Sequence, residues 1–209
     1  MSTNVKEHLL SCIAKRGLAL ESSALQLPDA TLDPSSIRVL MISEAPPADP
    51  CDGFYSAAPN PADLRTALSL LGMGGLRADD IAGVLARGIY LTTAIKTPKT
   101  AYAVDEETLS AHLPLLESEL DLFPGLRIVM LMGDVAKKAF NRIAKSRTGR
   151  NAIPSGATYK IRGQQFTSMG FRVFPSYIIT GGNLLIEKGK CDMIAEDIRR
   201  MMELLPGET

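Results

Sequence analysis

Hydrophobic residues along the chain form two kinds of pattern, short uninterrupted runs and longer stretches with helical spacing. The short runs are IRVLMIS (37–43), GIYLTTAI (88–95), RIVMLMG (127–133) and RVFPSYII (172–179). Apolar runs of this length are typical of strands that are buried on both faces of a parallel sheet. The sequence therefore predicts a central four-stranded parallel sheet.

Amphipathic stretches lie before, between and after these runs. The clearest are PADLRTALSLLGMGG, VAKKAFNRIAKSR and KCDMIAEDIRRMMELL, and the N-terminal segment is expected to form a first helix. Asn60 and Pro61 are predicted to cap and open the first of the three stretches, Gly72 to close it, and Asp134 to cap the second. The alternation predicts a three-layer α/β/α sandwich, and the length predicts a single domain over residues 1–209.

Composition limits the class of protein. No run of about 18 apolar residues is present, and the N-terminus has no secretory signal pattern, so we expect a cytoplasmic protein rather than a membrane protein. The three cysteines, Cys12, Cys51 and Cys191, lack CxxC spacing, and the chain has only two histidines. We therefore predict no metal and no cofactor. The oligomeric state is not indicated.

The charges balance to a net charge of zero, but they are unevenly placed. Eight basic residues and no acidic residue lie between Lys137 and Arg162, whereas the stretch from Asp105 to Asp121 is acidic. The basic segment fits a phosphate-binding face, and it equally fits a solvated helix followed by a loop. The polar stretch TGRNAIPSGATYKIRGQQF within it is expected to form a surface loop or hairpin.

Unusual residues follow the first apolar run, at the edge of a parallel sheet where ligands bind. Glu44 comes directly after the run, on a turn stiffened by Pro46 and Pro47. This turn is either the wall of a binding site or an exposed crossover that the prolines merely shape. Cys51 is interpreted as an incidental thiol rather than a nucleophile, and His112 as a packing or surface residue.

Four segments carry a family resemblance. The SEAPP sequence at 43–47 resembles the GEAPG motif of the iron-sulfur and related uracil-DNA glycosylase families. YLTTAIKTP (90–98), residues 114–140 and RVFPSYIITGGNLL (172–185) resemble further segments of these families, in the same order. The chain is thus similar to the uracil-DNA glycosylase superfamily over roughly residues 37–200.

This resemblance implies a DNA repair N-glycosylase that hydrolyses the glycosidic bond of a deaminated or damaged base, with DNA as the partner. Glu44 would be the catalytic group, activating water or stabilising the developing positive charge on the sugar. The implied base-binding residues are Ala45, Pro46, Phe54, Tyr55 and Thr93, of which Phe54 would stack on the base. The implied DNA-binding residues are Lys96, Tyr177, Thr180 and Asn183.

The chain also departs from the family pattern. Thr93 stands where the family has an asparagine that reads the uracil edge, and Tyr177-Ile178-Ile179 lacks the family's histidine. Thr180 or Asn183 could replace that histidine only as neutral donors. The cysteines of an iron-sulfur cluster are missing. Two alternatives to the glycosylase therefore stay open, a catalytically weak or inactive nucleic-acid or nucleobase-binding module of the same fold, and a hydrolase of another small molecule.

Overall fold

The computed structural model describes residues 1–101, 103–181 and 183–205. Its strands are β1 (Thr3–Asn4), β2 (Thr31–Leu32), β3 (Val39–Ser43), β4 (Ile89–Thr93), β5 (Ile128–Met132), β6 (Phe166–Ser168) and β7 (Phe171–Ser176). Its helices are α1 (Val5–Arg16), α2 (Ala62–Met73), α3 (Ile81–Ala86), α4 (Glu106–Leu122), α5 (Asp134–Thr148), α6 (Thr158–Ile161) and α7 (Lys188–Met202). No helix in these described ranges is both long and apolar enough to cross a membrane.

The central sheet has five strands, in the order β4-β3-β5-β7-β6. The four strands foreseen from the apolar runs pair in parallel, whereas β6 pairs antiparallel with β7. The prediction of four strands therefore missed one edge strand. Since β6 is only three residues long and none of its residues is fully buried, it lacks the apolar run of a central strand.

Helices cover both faces of the sheet, which confirms the predicted three-layer sandwich. On one face α1, α4 and α5 bury residues such as Leu9, Leu116 and Phe140 against the sheet. On the other face α2, α3 and α7 bury a second cluster that includes Leu70 and Ile198. Because the parallel strands carry apolar side chains on both sides, each layer of helices has its own core.

All three predicted helix caps, at Asn60, Gly72 and Asp134, are wrong. Helix α2 has Pro61 at its N-cap without a side-chain cap, and the Asp52 carboxylate instead accepts a hydrogen bond from the Ala62 amide at 3.2 Å. The helix continues past Gly72 to Met73. Helix α5 begins at Asp134 itself, with Gly133 as an N-cap that offers no side chain. Its first amides are therefore left for a partner elsewhere in the chain.

Candidate functional site

Glu44 supplies the hydrogen-bond acceptor for the first turn of helix α5. It follows β3 at the carboxyl end of the sheet, where its main chain and that of Ser43 accept hydrogen bonds from the segment after β4. Its side chain is buried, and Oε1 accepts a hydrogen bond from the Val135 amide in the first turn of α5 at 3.2 Å. Oε2 lies 2.5 Å from the Lys99 ammonium. Glu44 thus caps α5 from 91 residues away and also forms an ion pair.

Gly133 makes this approach of Glu44 to the helix possible. Its backbone φ of +97° is one that residues with a side chain rarely adopt. A Cβ at this position would lie 2.5 Å from Glu44 Oε1 and 2.6 Å from Ile178 Cγ1. Glycine is therefore required here, both for the backbone conformation and for the space that the carboxylate occupies.

Glu44 lines an open cavity of about 810 Å³ at the ends of the strands. Three of the predicted DNA-binding residues, Tyr177, Thr180 and Asn183, line the same cavity. Its rim also carries the cations Lys99, Lys138 and Lys190 and the exposed ring of Tyr159. The structure thus combines a carboxylate, several cations and two aromatic residues in one cleft.

The five predicted base-binding residues share a second cavity, of about 340 Å³, which Glu44 does not line. The Phe54 side chain is only 6% exposed, so its ring forms part of the floor rather than a free-standing wall. The Tyr55 hydroxyl donates to the Leu91 carbonyl at 2.8 Å, which fixes the ring against the sheet. Residues 23–28, from the N-terminal segment, close the opposite side.

A third cavity, of about 290 Å³, joins the two sets of residues. Glu44 and Thr180 of the large cavity line it together with Ala45 and Pro46 of the smaller one. Asp63, from the first turn of α2, lines both this cavity and the 340 Å³ cavity. The Ala45–Pro47 turn lines both cavities and therefore lies between the carboxylate and the other predicted base-binding residues, and Asp63 lines the same two cavities.

Lys96 does not lie where the predicted contact with DNA requires it. Its ammonium is fully buried and donates to Thr92 Oγ1, to the Thr93 carbonyl and to Glu119 Oε2, at 2.7, 2.8 and 2.6 Å. Burial lowers the pKa of Lys96, whereas the charge of Glu119 opposes that change. All three N–H donors are used inside the core, so we withdraw Lys96 from the DNA-contacting set.

The basic segment is largely neutralised by acidic partners. Lys138 and Arg142 of α5 both pair with Glu106, and Arg147 pairs with Asp121 at 2.8 Å. Lys137 pairs with Asp134, and Arg162 pairs with Glu196 and Asp197. Helices α4 and α5 pack together, which explains why the acidic and basic stretches of the sequence face each other. The segment is therefore not a uniform phosphate-binding face.

The two other candidates for chemistry have structural explanations. The Cys51 thiol is exposed, and a hydrogen bond to Asp49 raises its pKa, which is the opposite of an activated nucleophile. His112 is buried in α4, where Nδ1 accepts a hydrogen bond from the Lys96 amide at 3.2 Å. Burial, followed by the charge of Lys96, lowers its pKa to about 4. His112 is thus a neutral packing residue.

Three residues of the site were not foreseen from the sequence. Lys99 lies just beyond the YLTTAIKTP segment, but its ion pair spans 55 residues and has no local pattern. Asp63 resembles an ordinary acidic residue of a first helical turn. Gly133 had a detectable signal, since a glycine between a buried strand and a helix marks a close approach of the backbone.

The comparisons with known proteins identify a family. The family model of the uracil DNA glycosylase superfamily matches residues 30–182, more than half of the chain. Among curated proteins, no sequence matches significantly. Among solved structures, the wild-type UNG crystal structure from Nitratifractor salsuginis has 13% sequence identity, and the match covers 92% of this chain and 85% of that chain with a TM-score of 0.44. The match to the family model shows that this chain belongs to the uracil DNA glycosylase superfamily.

Proposed function

We propose that the protein is a DNA N-glycosylase that hydrolyses the glycosidic bond of a deaminated or damaged base. The observation that carries this proposal is the position of Glu44, a buried carboxylate at the carboxyl end of the sheet that lines an open cleft. The Val135 amide and the Lys99 ammonium hold the carboxylate in one orientation, which is a form of preorganisation. Membership of the superfamily supports the same reaction class.

In this proposal Glu44 acts on the sugar and not on the base. A buried carboxylate at the wall of the cleft stabilises the positive charge that develops on the sugar as the glycosidic bond breaks. The same carboxylate can orient the attacking water. The leaving base would occupy the 340 Å³ cavity beyond the Ala45–Pro47 turn, where Phe54 and Thr93 contact it. A nucleotide must leave the base stack to reach such a site.

The cleft also supports binding of DNA. Lys138 and Lys190 can approach phosphates, because exposed ion pairs such as the 2.6 Å contact of Lys190 with Glu187 contribute little stability. Tyr159 and Tyr177 offer rings on which unpaired bases can stack. Tyr177, Thr180 and Asn183 therefore remain our proposed DNA-contacting residues, with Lys138 and Lys190 in place of Lys96.

A second candidate function is a nucleic-acid or nucleobase-binding module with weak catalysis or none. The observation that favours it is the segment after β7, where Tyr177-Ile178-Ile179 carries no histidine to stabilise the leaving base. Glu44 is moreover bound to Lys99, which partly offsets its charge. Both features would slow a glycosylase without preventing it from binding DNA.

The deciding experiment is an excision assay on labelled oligonucleotides that contain uracil, hypoxanthine or xanthine, as single strands and in mismatches. We expect an abasic product from the wild-type protein, and a rate at least about 100-fold lower for Glu44→Gln. Glutamine can still accept the hydrogen bond from the Val135 amide, so the variant mainly removes the charge. Glu203→Gln, beyond the far end of α7, is the matched control and should keep the wild-type rate.

The other outcomes are equally informative. Excision by Glu44→Gln at the wild-type rate would refute the assignment of Glu44 as the catalytic group. The absence of product on every substrate, together with DNA affinity that falls steeply as salt is raised, would favour the binding module. If the wild-type protein neither excises a base nor binds DNA, the result would favour a hydrolase of another small molecule.

A further inference from the structure

Asp63 is a buried carboxyl group that the proposed reaction does not use. It is the second residue of α2, its side chain is 8% exposed, and it lines two of the three cavities around the Ala45–Pro47 turn. In the 340 Å³ cavity it faces the same space as Phe54 and Thr93. A buried carboxyl group that lines this cavity of mixed polar and apolar residues is well placed to orient a ligand.

Its two oxygens differ in their surroundings. Oδ1 accepts a hydrogen bond from the Gly181 amide at 3.2 Å, which ties α2 to the loop after β7. No hydrogen bond reaches Oδ2 from the described residues, and this oxygen keeps some exposure to solvent. A carboxylate oxygen at the edge of a cavity gains free energy when a ligand donates a hydrogen bond to it. Oδ2 is therefore an available acceptor.

The electrostatic surroundings of Asp63 are consistent with Oδ2 being an available hydrogen-bond acceptor. Burial raises the pKa of Asp63, the Gly181 amide opposes that change, and the charge of Asp52 adds to it. The carboxylate is thus incompletely solvated and incompletely neutralised by its neighbours. An N–H group of a ligand would replace part of the missing solvation.

We propose that Asp63 selects the ligand of this site by accepting a hydrogen bond from a ring N–H of a nucleobase. Deamination creates such a group, because uracil and hypoxanthine carry a ring N–H where cytosine and adenine carry a lone pair. The Asp63 carboxylate, as a fixed acceptor, attracts uracil and hypoxanthine and repels the ring lone pair of cytosine and adenine. This inference rests on the proposed function in one respect, namely that the base occupies the 340 Å³ cavity.

The test uses free bases, so that no glycosidic bond is broken and the result does not depend on catalysis. Uracil and hypoxanthine are titrated against the protein by NMR. The comparison probes are 3-methyluracil, 1-methylhypoxanthine and cytosine, which keep an N–H at the nitrogen that would carry the sugar but lack the ring N–H that deamination creates. We expect wild-type protein to prefer uracil over 3-methyluracil. Asp63→Ala should bind uracil about 10- to 100-fold more weakly and lose that preference, since it lacks the charged acceptor.

Two further variants separate recognition from folding. Asp63→Asn keeps an acceptor for the Gly181 amide and adds an N–H donor, so it should bind cytosine more tightly than the wild-type protein does. Asp52→Asn alters a neighbouring carboxylate that caps the same helix but lines neither cavity, and it should keep the wild-type preference. Thermal unfolding of each variant confirms that it is folded.

Three results would overturn the inference. These are equal binding of uracil and 3-methyluracil by the wild-type protein, an unchanged preference in the Asp63 variants, and failure of the wild-type protein to bind any base. The excision assay decides the proposed function independently. A protein that excises uracil at the same rate with and without the Asp63 carboxylate would keep the proposed function and lose this inference.

Discussion

Protonation of His112 should destabilise the fold between pH 6.5 and pH 4. The imidazole is 2% exposed, accepts the Lys96 amide hydrogen bond through Nδ1, and has Nε2 3.4 Å from Thr97 Oγ1. Burial and the Lys96 charge lower its pKa from 6.5 to about 4 in the folded protein. The unfolded chain therefore binds more protons than the native protein throughout that interval. The stabilisation is complete above pH 6.5 and is lost as the pH falls through the folded pKa.

The magnitude follows from the two pKa values. The difference between 6.5 and about 4 corresponds to a free energy of about 3 kcal/mol at 1.4 kcal/mol per tenfold change in affinity for protons. Because the folded group is only half protonated at pH 4, part of this free energy is lost below the interval, and we expect a loss of at least about 2 kcal/mol within it. A domain with a typical stability of about 5–15 kcal/mol would lose a measurable fraction of it.

Urea unfolding at constant ionic strength, between pH 7.5 and pH 4, measures this effect. His112→Asn keeps a hydrogen-bond acceptor in a similar position but does not titrate, so the wild-type protein should lose at least about 2 kcal/mol more than this variant does over the interval. His8 is the other histidine of the chain and forms a 2.8 Å contact with Ser118 Oγ. His8→Asn is therefore the matched control. If the free energy of unfolding falls by the same amount between pH 7.5 and pH 4 in the wild-type protein and in His112→Asn, the reasoning is refuted.

Two further predictions concern the core and the approach of Glu44 to α5. Gly133→Ala should lower the free energy of unfolding by about 1–3 kcal/mol and slow excision, because its Cβ would displace the Glu44 carboxylate; urea unfolding and the excision assay check both effects. Lys96→Met or Glu119→Gln alone should cost about 3–5 kcal/mol, since each leaves a buried charge without its partner. Lys96→Met combined with Glu119→Gln should cost less than the sum of these two single changes, as a double-mutant cycle would reveal; additive costs would contradict the coupling.

The parallel strands of the fold were predictable because each is buried on both faces. Their apolar runs stand out from the polar segments around them, and the helices between them have regular apolar spacing. Strand β6 was not predicted as a separate strand because it lies at the sheet edge, where one side is exposed. The polar segment 148–166, expected to be a surface loop or hairpin, instead contains the short helix α6 and ends at the first residue of β6. Burial on both faces, more than strand propensity, made the strands recognisable.

The site was predictable where its residues lie in the segments that resemble the family, whether close together or far apart in sequence. Glu44, Ala45 and Pro46 form one motif, and the structure places all three around the same cavity. Lys96 was misplaced because the sequence does not reveal that Glu119, on another element, binds its ammonium. The same lack of information hid the roles of Asp63 and Lys99, which depend on contacts between distant segments.

The contact of Glu44 with α5 has a consequence for how selection retains this carboxylate during evolution. A side chain that caps a helix contributes about 1 kcal/mol to stability, whatever chemistry it performs. The Val135 amide would lose its acceptor if Glu44 were replaced by an apolar residue, even in a protein that excises no base. Selection for folding alone would therefore retain an acceptor at position 44, while selection for catalysis would require its negative charge as well. The difference between glutamate and glutamine at this one position separates the two selective pressures.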